Sequence, residues 1–378
     1  FKGCKRYPTA DLLSREFTKN GAYNNASTGQ TNMSYYGDSA KMEWQRILDL
    51  QMEALAEPIF TEESLVHEKQ NVLSELNSQN ANDVRVLWQN IGKALGDTAL
   101  LDKEKIATIP HVGLDDIWEH YHRTHTLKNA RFAIGGALEG REDEVVAMLE
   151  KWKLPKGEKF LEPEQLECKT APPVVLSRSD RDDSLFGLVM SLHRKFSDKE
   201  DNAMSALNHM LTGTFHSRIF GQARERGLSY NIGASCNTQL DGNTEWSFGG
   251  QVNEEHAEDL MQLIVSELQR IASGGIDETI LEETKLYGLG TYQKSYQTAS
   301  EIVGSYAGDY FFDKSIKPIE DIPRHIKETD HNDIIALARE FIEKGEWCYG
   351  EIGNVTESHV NRRHAIFSKL FSKTKKVS

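Results

Sequence analysis

Apolar residues recur at helical intervals in KMEWQRILDLQMEALAEPIF and TEESLVHEKQNVLSEL, which follow one another over residues 41–76. Each returns a hydrophobic side chain every three or four positions, the spacing that builds one buried face on a helix. Before them, a helical segment ending in REFTKNGA leads into YNNASTGQTNMSYYG, whose alternation and turn residues predict strands. After them, IPHVGLDDIWEHYHRTHTLKNARFAIGG reads as a helix, a short β-rich run and a glycine pair.

The same order then occurs again. NAMSALNHMLTGTFHSRIFGQARERG is helical, and LSYNIGASCNTQLDGNTEWSFGGQV predicts two strands joined at Asp241-Gly242, a hairpin signal. EEHAEDLMQLIVSELQRIASGG and DETILEETKLYGLGTYQKSY predict paired helices; Gly274-Gly275 ends the first and Asp277 caps the second. IPRHIKETDHNDIIALAREFIEKGEWCYGEIGNV closes with Ile-Pro, a helix, a short strand and a glycine. This repetition predicts an α+β protein made of two homologous α/β sandwich modules. The modules are residues 1–153 and 174–378, joined by the charged, proline-bearing linker LPKGEKFLEPEQLECKTAPP at 154–173. The second module opens with VVLSRSDRDDSLFGLVMSLHR, two strand-like runs with no counterpart in the first. The first module is therefore expected to be incomplete at its start, by on the order of 50–60 residues, about half of a small domain.

Charge and cysteine content narrow the function. A net charge of −14 argues against nucleic acid as the main partner, because phosphate binding is driven by lysine and arginine. It suits either solubility or a basic, extended polypeptide. No run approaches the ~18 apolar residues of a membrane span. Cys4, Cys168, Cys236 and Cys348 are widely spaced, which fits isolated thiols in a reducing compartment better than disulfides or a cysteine zinc site. The first residue is a phenylalanine, so targeting is unreadable.

Glu68 and Glu75 lie seven residues apart on a predicted helix. Seven steps of about 100° return nearly to one face, roughly 10 Å along the axis. Such a pair fits either a solvated face or an ion ligand with a supporting carboxylate. Context comes from four motifs in order. FKGCKRYP resembles the F-K-G-T-x-x-Y-P segment that follows the inverted zinc motif H-x-x-E-H in the insulinase/pitrilysin-like metallopeptidases, a family that includes mitochondrial processing peptidases and bacterial relatives. GAYNNASTGQTNMSYY, EKQNVLSE and GTFHSRIF…ARERGLSYNI resemble further segments of that family.

The resemblance implies a zinc endopeptidase that cleaves peptides or targeting sequences between two modules that enclose a cavity. It implies Glu75 as the third zinc ligand and Glu68 as a residue orienting the ligands. Two histidines and a general-base glutamate complete such a site, with water in the open position. These 378 residues contain no H-x-x-E-H, and the motif is expected before Phe1. His120, His122 and His125 have neither its spacing nor its glutamate. Arg224 and Tyr230 resemble an arginine–tyrosine pair that would hold the substrate backbone and scissile carbonyl, with one residue fewer between them than in the family pattern. Taken alone, Tyr230 also fits an ordinary packing position on a strand. Asn25-Ala26 fits a family edge strand to which a substrate peptide adds, or an ordinary turn-rich strand. A second function class stays open: a non-catalytic or structural subunit, since family members form homodimers or pair an active subunit with one lacking the motif.

Overall fold

The computed structural model describes residues 2–159 and 164–371. The first half forms α1 (Ala10–Thr18), β1 (Tyr23–Thr28), β2 (Met33–Asp38), α2 (Trp44–Ala56), α3 (Glu62–Asn80), α4 (Asp83–Leu95), α5 (Asp102–Thr108), α6 (Leu114–Thr124) and α7 (Glu142–Leu149). In the second half come β3 (Val174–Ser177), β4 (Ser184–Leu192), α8 (Asp198–Asn208), α9 (Phe220–Glu225), β5 (Asn231–Thr238) and β6 (Thr244–Val252). It ends with α10 (Ala257–Ala272), α11 (Glu278–Ser295), α12 (Ala299–Asp313), α13 (Ile322–Glu328), α14 (His331–Lys344), β7 (Glu346–Gly353) and α15 (Glu357–Phe371). The fold is α+β, as the patterning predicts.

Two compact units result, and neither is a continuous piece of chain. Unit 1 takes Phe1–Asn77, Lys103–Glu162 and Tyr296–Lys317; unit 2 takes Ser78–Asp102, Pro163–Ser295 and Pro318–Ser378. The patterning places one boundary in 154–173. In the structure, α4 leaves the first half for unit 2 and α12 leaves the second half for unit 1. Nor is the linker a free tether in its described part. Lys169 N–H donates to the Leu95 carbonyl and Ala171 N–H to that of Trp347, both within unit 2. Residues 160–163 lie outside the described residues.

Unit 1 is built on an antiparallel hairpin, β1 with β2, in which Asn25 faces Tyr36 and Ala26 faces Tyr35. The Thr9 side chain caps α1 by accepting from Leu12 N–H, which sets the helix phase so that Leu13 and Phe17 turn inward. They pack with Ile47, Leu50 and Ala54, one face of α2, and with Cys4 and Ala22. The Tyr121 hydroxyl of α6 donates toward the Leu55 and Ala56 carbonyls at 2.7 and 3.1 Å, where α2 runs out of internal partners. The β-rich run expected before Gly135-Gly136 is not a strand: residues 130–136 form no ladder among the described residues.

Unit 2 holds a five-stranded sheet in the order β3-β7-β4-β6-β5, with β3 parallel to β7 and the remaining pairs antiparallel. Along β4, Phe186, Leu188, Met190 and Leu192 enter a large core with residues of α8, α10, α14 and α15. The alternate residue Val189 turns to a smaller core with Leu87, Ile91 and Leu95 of α4. This two-period division puts helices on both sides of the sheet. Strand pairing aligns Gly350, Gly187, Gly249 and Gly233 in one row across β7, β4, β6 and β5. A Cβ on Gly187 would stand 2.7 Å from Ile91 Cδ1, and one on Gly249 would stand 2.6 Å from Trp88 Cζ2. Gly350, Gly187 and Gly249 form a trough in which α4 lies.

Candidate functional site

Thr61 starts α3 through reciprocal hydrogen bonds with Ser64, leaving Glu62 and Glu63 in the first turn, where the helix dipole favours acid. Glu68 lies further along this helix and its Oε2 meets Lys2 Nζ at 2.6 Å. That ammonium holds the Glu68 carboxyl below its ordinary range. Both side chains are nearly half exposed, so the pair contributes at most about 1 kcal/mol. Its value is positional, since Lys2 belongs to the FKGCKRYP segment and Glu68 to EKQNVLSE. The patterning singled out both segments but not their meeting at Lys2. Glu75 lies on the same helix, exposed.

His120 and His122 of α6 and His125 just after it take aromatic rather than ligand roles where their contacts are described. His122 stacks on Trp118, and His125 stacks on Tyr121. Both ring nitrogens of His125 are engaged: Nε2 with the Tyr35 hydroxyl at 2.9 Å and Nδ1 with Thr124 Oγ1 at 3.0 Å. Burial, and after it the nearby His120, lower its pKa, so it stays neutral more readily than a free imidazole.

On the hairpin, β1 pairs only with β2 among the described residues, so its other edge is open. The Ala26 N–H is taken up by the Asn25 side-chain oxygen at 2.8 Å, while Asn25 Nδ2 donates to the Tyr23 hydroxyl. A cleft of about 280 Å³ runs between α1 and β1, lined by Leu13, Ser14, Phe17, Asn24, Asn25 and Ala26. Backbone edge, polar side chains and an apolar floor are the components of a site for an extended peptide.

In unit 2 the chain brings Arg224 and Tyr230 together. Gly227, at φ +68°, ends α9 and its N–H donates to the Arg224 carbonyl, while Leu228 N–H returns to that of Ala223. Ala223 and Leu228 are buried, and the Ser229 hydroxyl ties down the Gln251 carbonyl at 2.6 Å. With both neighbours fixed, Tyr230 is turned out and is 77% exposed. The Arg224 guanidinium lies 4.3 Å over its ring and 5.7 Å over that of Phe215. The shortened spacing does not prevent the contact. Phe215 was not legible as a site residue; only its place in the GTFHSRIF motif pointed that way.

Glu68, Glu75, Asn25 and Ala26 belong to unit 1, and Arg224 and Tyr230 to unit 2. A family zinc site needs three protein donors. Among the described residues no three His, Cys, Asp or Glu side chains come together to hold a metal ion. These residues do not by themselves fit a zinc ion.

The chain forms two α+β units, and comparison with known proteins gives their family. Residues 1–103 match the family model described as insulinase (peptidase family M16), and residues 111–286 match that of the peptidase M16 inactive domain. The chain belongs to the insulinase-like M16 family. A Helicobacter pylori protein named zinc protease PqqE is 24% identical over 150 residues, 39% of this chain. The match spans about a third, 33%, of that relative's length. The crystal structure of a protease from H. pylori superposes with a TM-score of 0.79 at 17% identity, covering 93% of this chain and 86% of the other. A peptidase M16 inactive domain from Pseudomonas fluorescens gives a TM-score of 0.77 at 17% identity, covering 94% and 86%. At that identity the superpositions establish the fold alone.

Proposed function

We propose that this chain is the peptide-binding body of an insulinase-like peptidase, taking an extended peptide by addition to β1. The observation that carries the reading is the open edge of β1 beside its cleft, where the Ala26 N–H donates to the Asn25 side-chain oxygen. A peptide carbonyl can take over that N–H, and main-chain pairing of this kind tolerates varied sequences. The zinc-protease name of the H. pylori relative, and the presence of both Glu68 and Glu75 on α3, favour hydrolysis as the outcome. In that reading Glu75 is a zinc ligand and Glu68, charge-paired with Lys2, orients its surroundings, while further donors must complete the metal site. The inactive-domain match over residues 111–286 favours the alternative, a binding subunit without its own chemistry.

The test is fluorescence anisotropy with a labelled, unstructured peptide of about 15 residues. Saturable binding should weaken at least tenfold in Ala26→Pro, which deletes the N–H, with far-UV circular dichroism confirming an intact fold. Unchanged binding in a folded Ala26→Pro protein removes the β1 reading. Zinc content and peptide cleavage of Glu75→Gln beside the parent then separate peptidase from binding subunit.

A further inference from the structure

From the backbone of residues 130–136 we infer an acceptor in unit 1 for a further β-strand, filled by an extended, uncharged polypeptide segment with apolar residues at alternate positions. The inference uses neither β1 nor its cleft and does not rest on the proposed peptide-binding function.

The segment is held on its faces and bare along its edges. Phe132 meets the Trp152 ring edge-on, 4.9 Å between centroids, and Trp152 is itself fixed by donating from Nε1 to the Met52 carbonyl. Three residues on, and so of opposite parity on a strand, Gly135 takes α12 against it, where a Cβ would collide with Val303 Cγ2. Between these supports, the N–H groups of residues 131–136 and the carbonyls of 131–135 have no hydrogen-bond partner among the described residues. Such a run of free main-chain donors and acceptors beside Phe132 and Ile134 is an edge to which a strand adds. The helix over it gives a second observation. Ile302, Val303, Tyr306 and Ala307 make α12 apolar, yet none of its described side chains is buried, and Tyr310 and Phe311 are exposed. It is a cover with too little floor.

Unit 2 shows what such a floor is made of. Gly136, at φ +140°, ends this segment as Gly353, at φ +152°, ends β7. Aligned on these glycines, Phe132 falls at Tyr349 and Ala133 at Gly350. In unit 2, β4 stands between β7 and the hairpin strand β6. The β1–β2 hairpin is the counterpart of β5–β6, each preceding a pair of helices, and β2 pairs only with β1 among the described residues. The segment that fits beside 130–136 therefore has the character of β4. That strand, SLFGLVMSL, is nine residues long and carries no charge. It puts Phe186, Leu188, Met190 and Leu192 on one face, and Leu185 and Val189 on the face under α4. Leu188 lies opposite Tyr349, so an equivalent leucine would cover Phe132 while the alternate residues lay under α12. A charged residue is selected against, because helices on both faces of the strand would desolvate it.

The probe is a synthetic SLFGLVMSL peptide flanked by lysines for solubility, added to the full chain and followed by hydrogen exchange with mass spectrometry. In the free protein, amides 131–136 should exchange as fast as those of an unfolded peptide, while β7 stays protected. Excess peptide should slow exchange at 131–136 by at least about tenfold and leave β7 unchanged. The same peptide with proline for its central leucine lacks a ladder N–H and should have no effect. Ile134→Pro should abolish the response, with far-UV circular dichroism and β7 protection confirming the fold, whereas Ala26→Pro should respond like the parent. Protection of 131–136 in dilute free protein, or no change at saturating peptide, overturns the acceptor. Protection that instead grows with protein concentration, alongside a dimer in sedimentation, makes a second copy the occupant and overturns the β4-like segment. A response lost in Ala26→Pro but kept in Ile134→Pro places the added strand on β1 and overturns this inference alone.

Discussion

β7 and residues 130–136 stand at the same point in the two repeated orders of elements, each following an Ile-Pro turn and a helix and each ending at glycine. Only β7 is a strand. It runs between β3 and β4, so both its edges are paired, and its Trp347 and Tyr349 are almost wholly buried. Residues 130–136 alternate just as well, yet Phe132 and Ile134 are each 38% exposed. The helices over them differ in the same way. Ile91 of α4 rests on Gly350, and Val303 of α12 rests on Gly135. But α4 buries Leu87, Ile91 and Leu95, while none of the described side chains of α12 is buried. Alternation gives a segment the capacity to pair; a neighbouring strand to pair with makes it a strand.

The largest test of this contrast concerns charge inside the completed sheet. Glu351 of β7 accepts from Arg363 at 2.6 Å, with both side chains fully buried, and from the Tyr349 hydroxyl at 2.5 Å. Arg363→Met leaves that carboxylate unpaired and should destabilise unit 2 by about 3–5 kcal/mol in urea unfolding. Adding Glu351→Gln should recover most of the loss, since burial already pushes the Glu351 carboxyl towards its neutral form. A single-variant loss below about 1 kcal/mol would mean the interior of unit 2 is wetter than its packing indicates.

Next is the glycine contrast. Gly187→Val overpacks the seat of α4 and should cost about 3 kcal/mol. Gly135→Val meets only Val303, on a segment open to water, and should cost less than about 1 kcal/mol. Equal losses in thermal unfolding would erase the distinction between the two helices.

The smallest effect depends on pH. Burial, with Asp241 and Asp97 adding repulsion, pushes the Glu245 carboxyl of β6 up to about 7 from an ordinary 4.5. Between those values the native state binds a proton that the unfolded chain has released. Stability should therefore fall as pH rises from about 4.5 through about 7, by roughly 1–2 kcal/mol once partial exposure is allowed for. Melting curves across that window should slope less in Glu245→Gln; an identical slope assigns the dependence to other groups.

Much of the local structure was legible. The Asp241-Gly242 turn joins β5 to β6 with Gly242 at φ +88°, and Asp277 caps α11 through Thr279 N–H. The opening runs of the second half became β3 and β4. What escaped was long-range. The amphipathic pattern of α4 shows that it covers something but not which sheet, because Leu87, Ile91 and Leu95 would suit either. The unpaired state of 130–136 depends on neighbours its own residues cannot specify. For the candidate site, local motifs marked Arg224 and Tyr230, but the stacking of Phe215 and the Lys2–Glu68 pair arise only from tertiary contact.

The glycine trough has a consequence for how this protein can be divided. Its cover, α4, precedes the 154–173 segment, and its floor follows it. A gene split at that segment separates lid from vessel, and the downstream fragment would display Gly187, Gly249 and Gly350 beside bare apolar strand surface. The inheritable part is thus an interleaved pair of half-sequences. Domain shuffling that respected the visible repeat would have to carry residues 83–95 along with the second half.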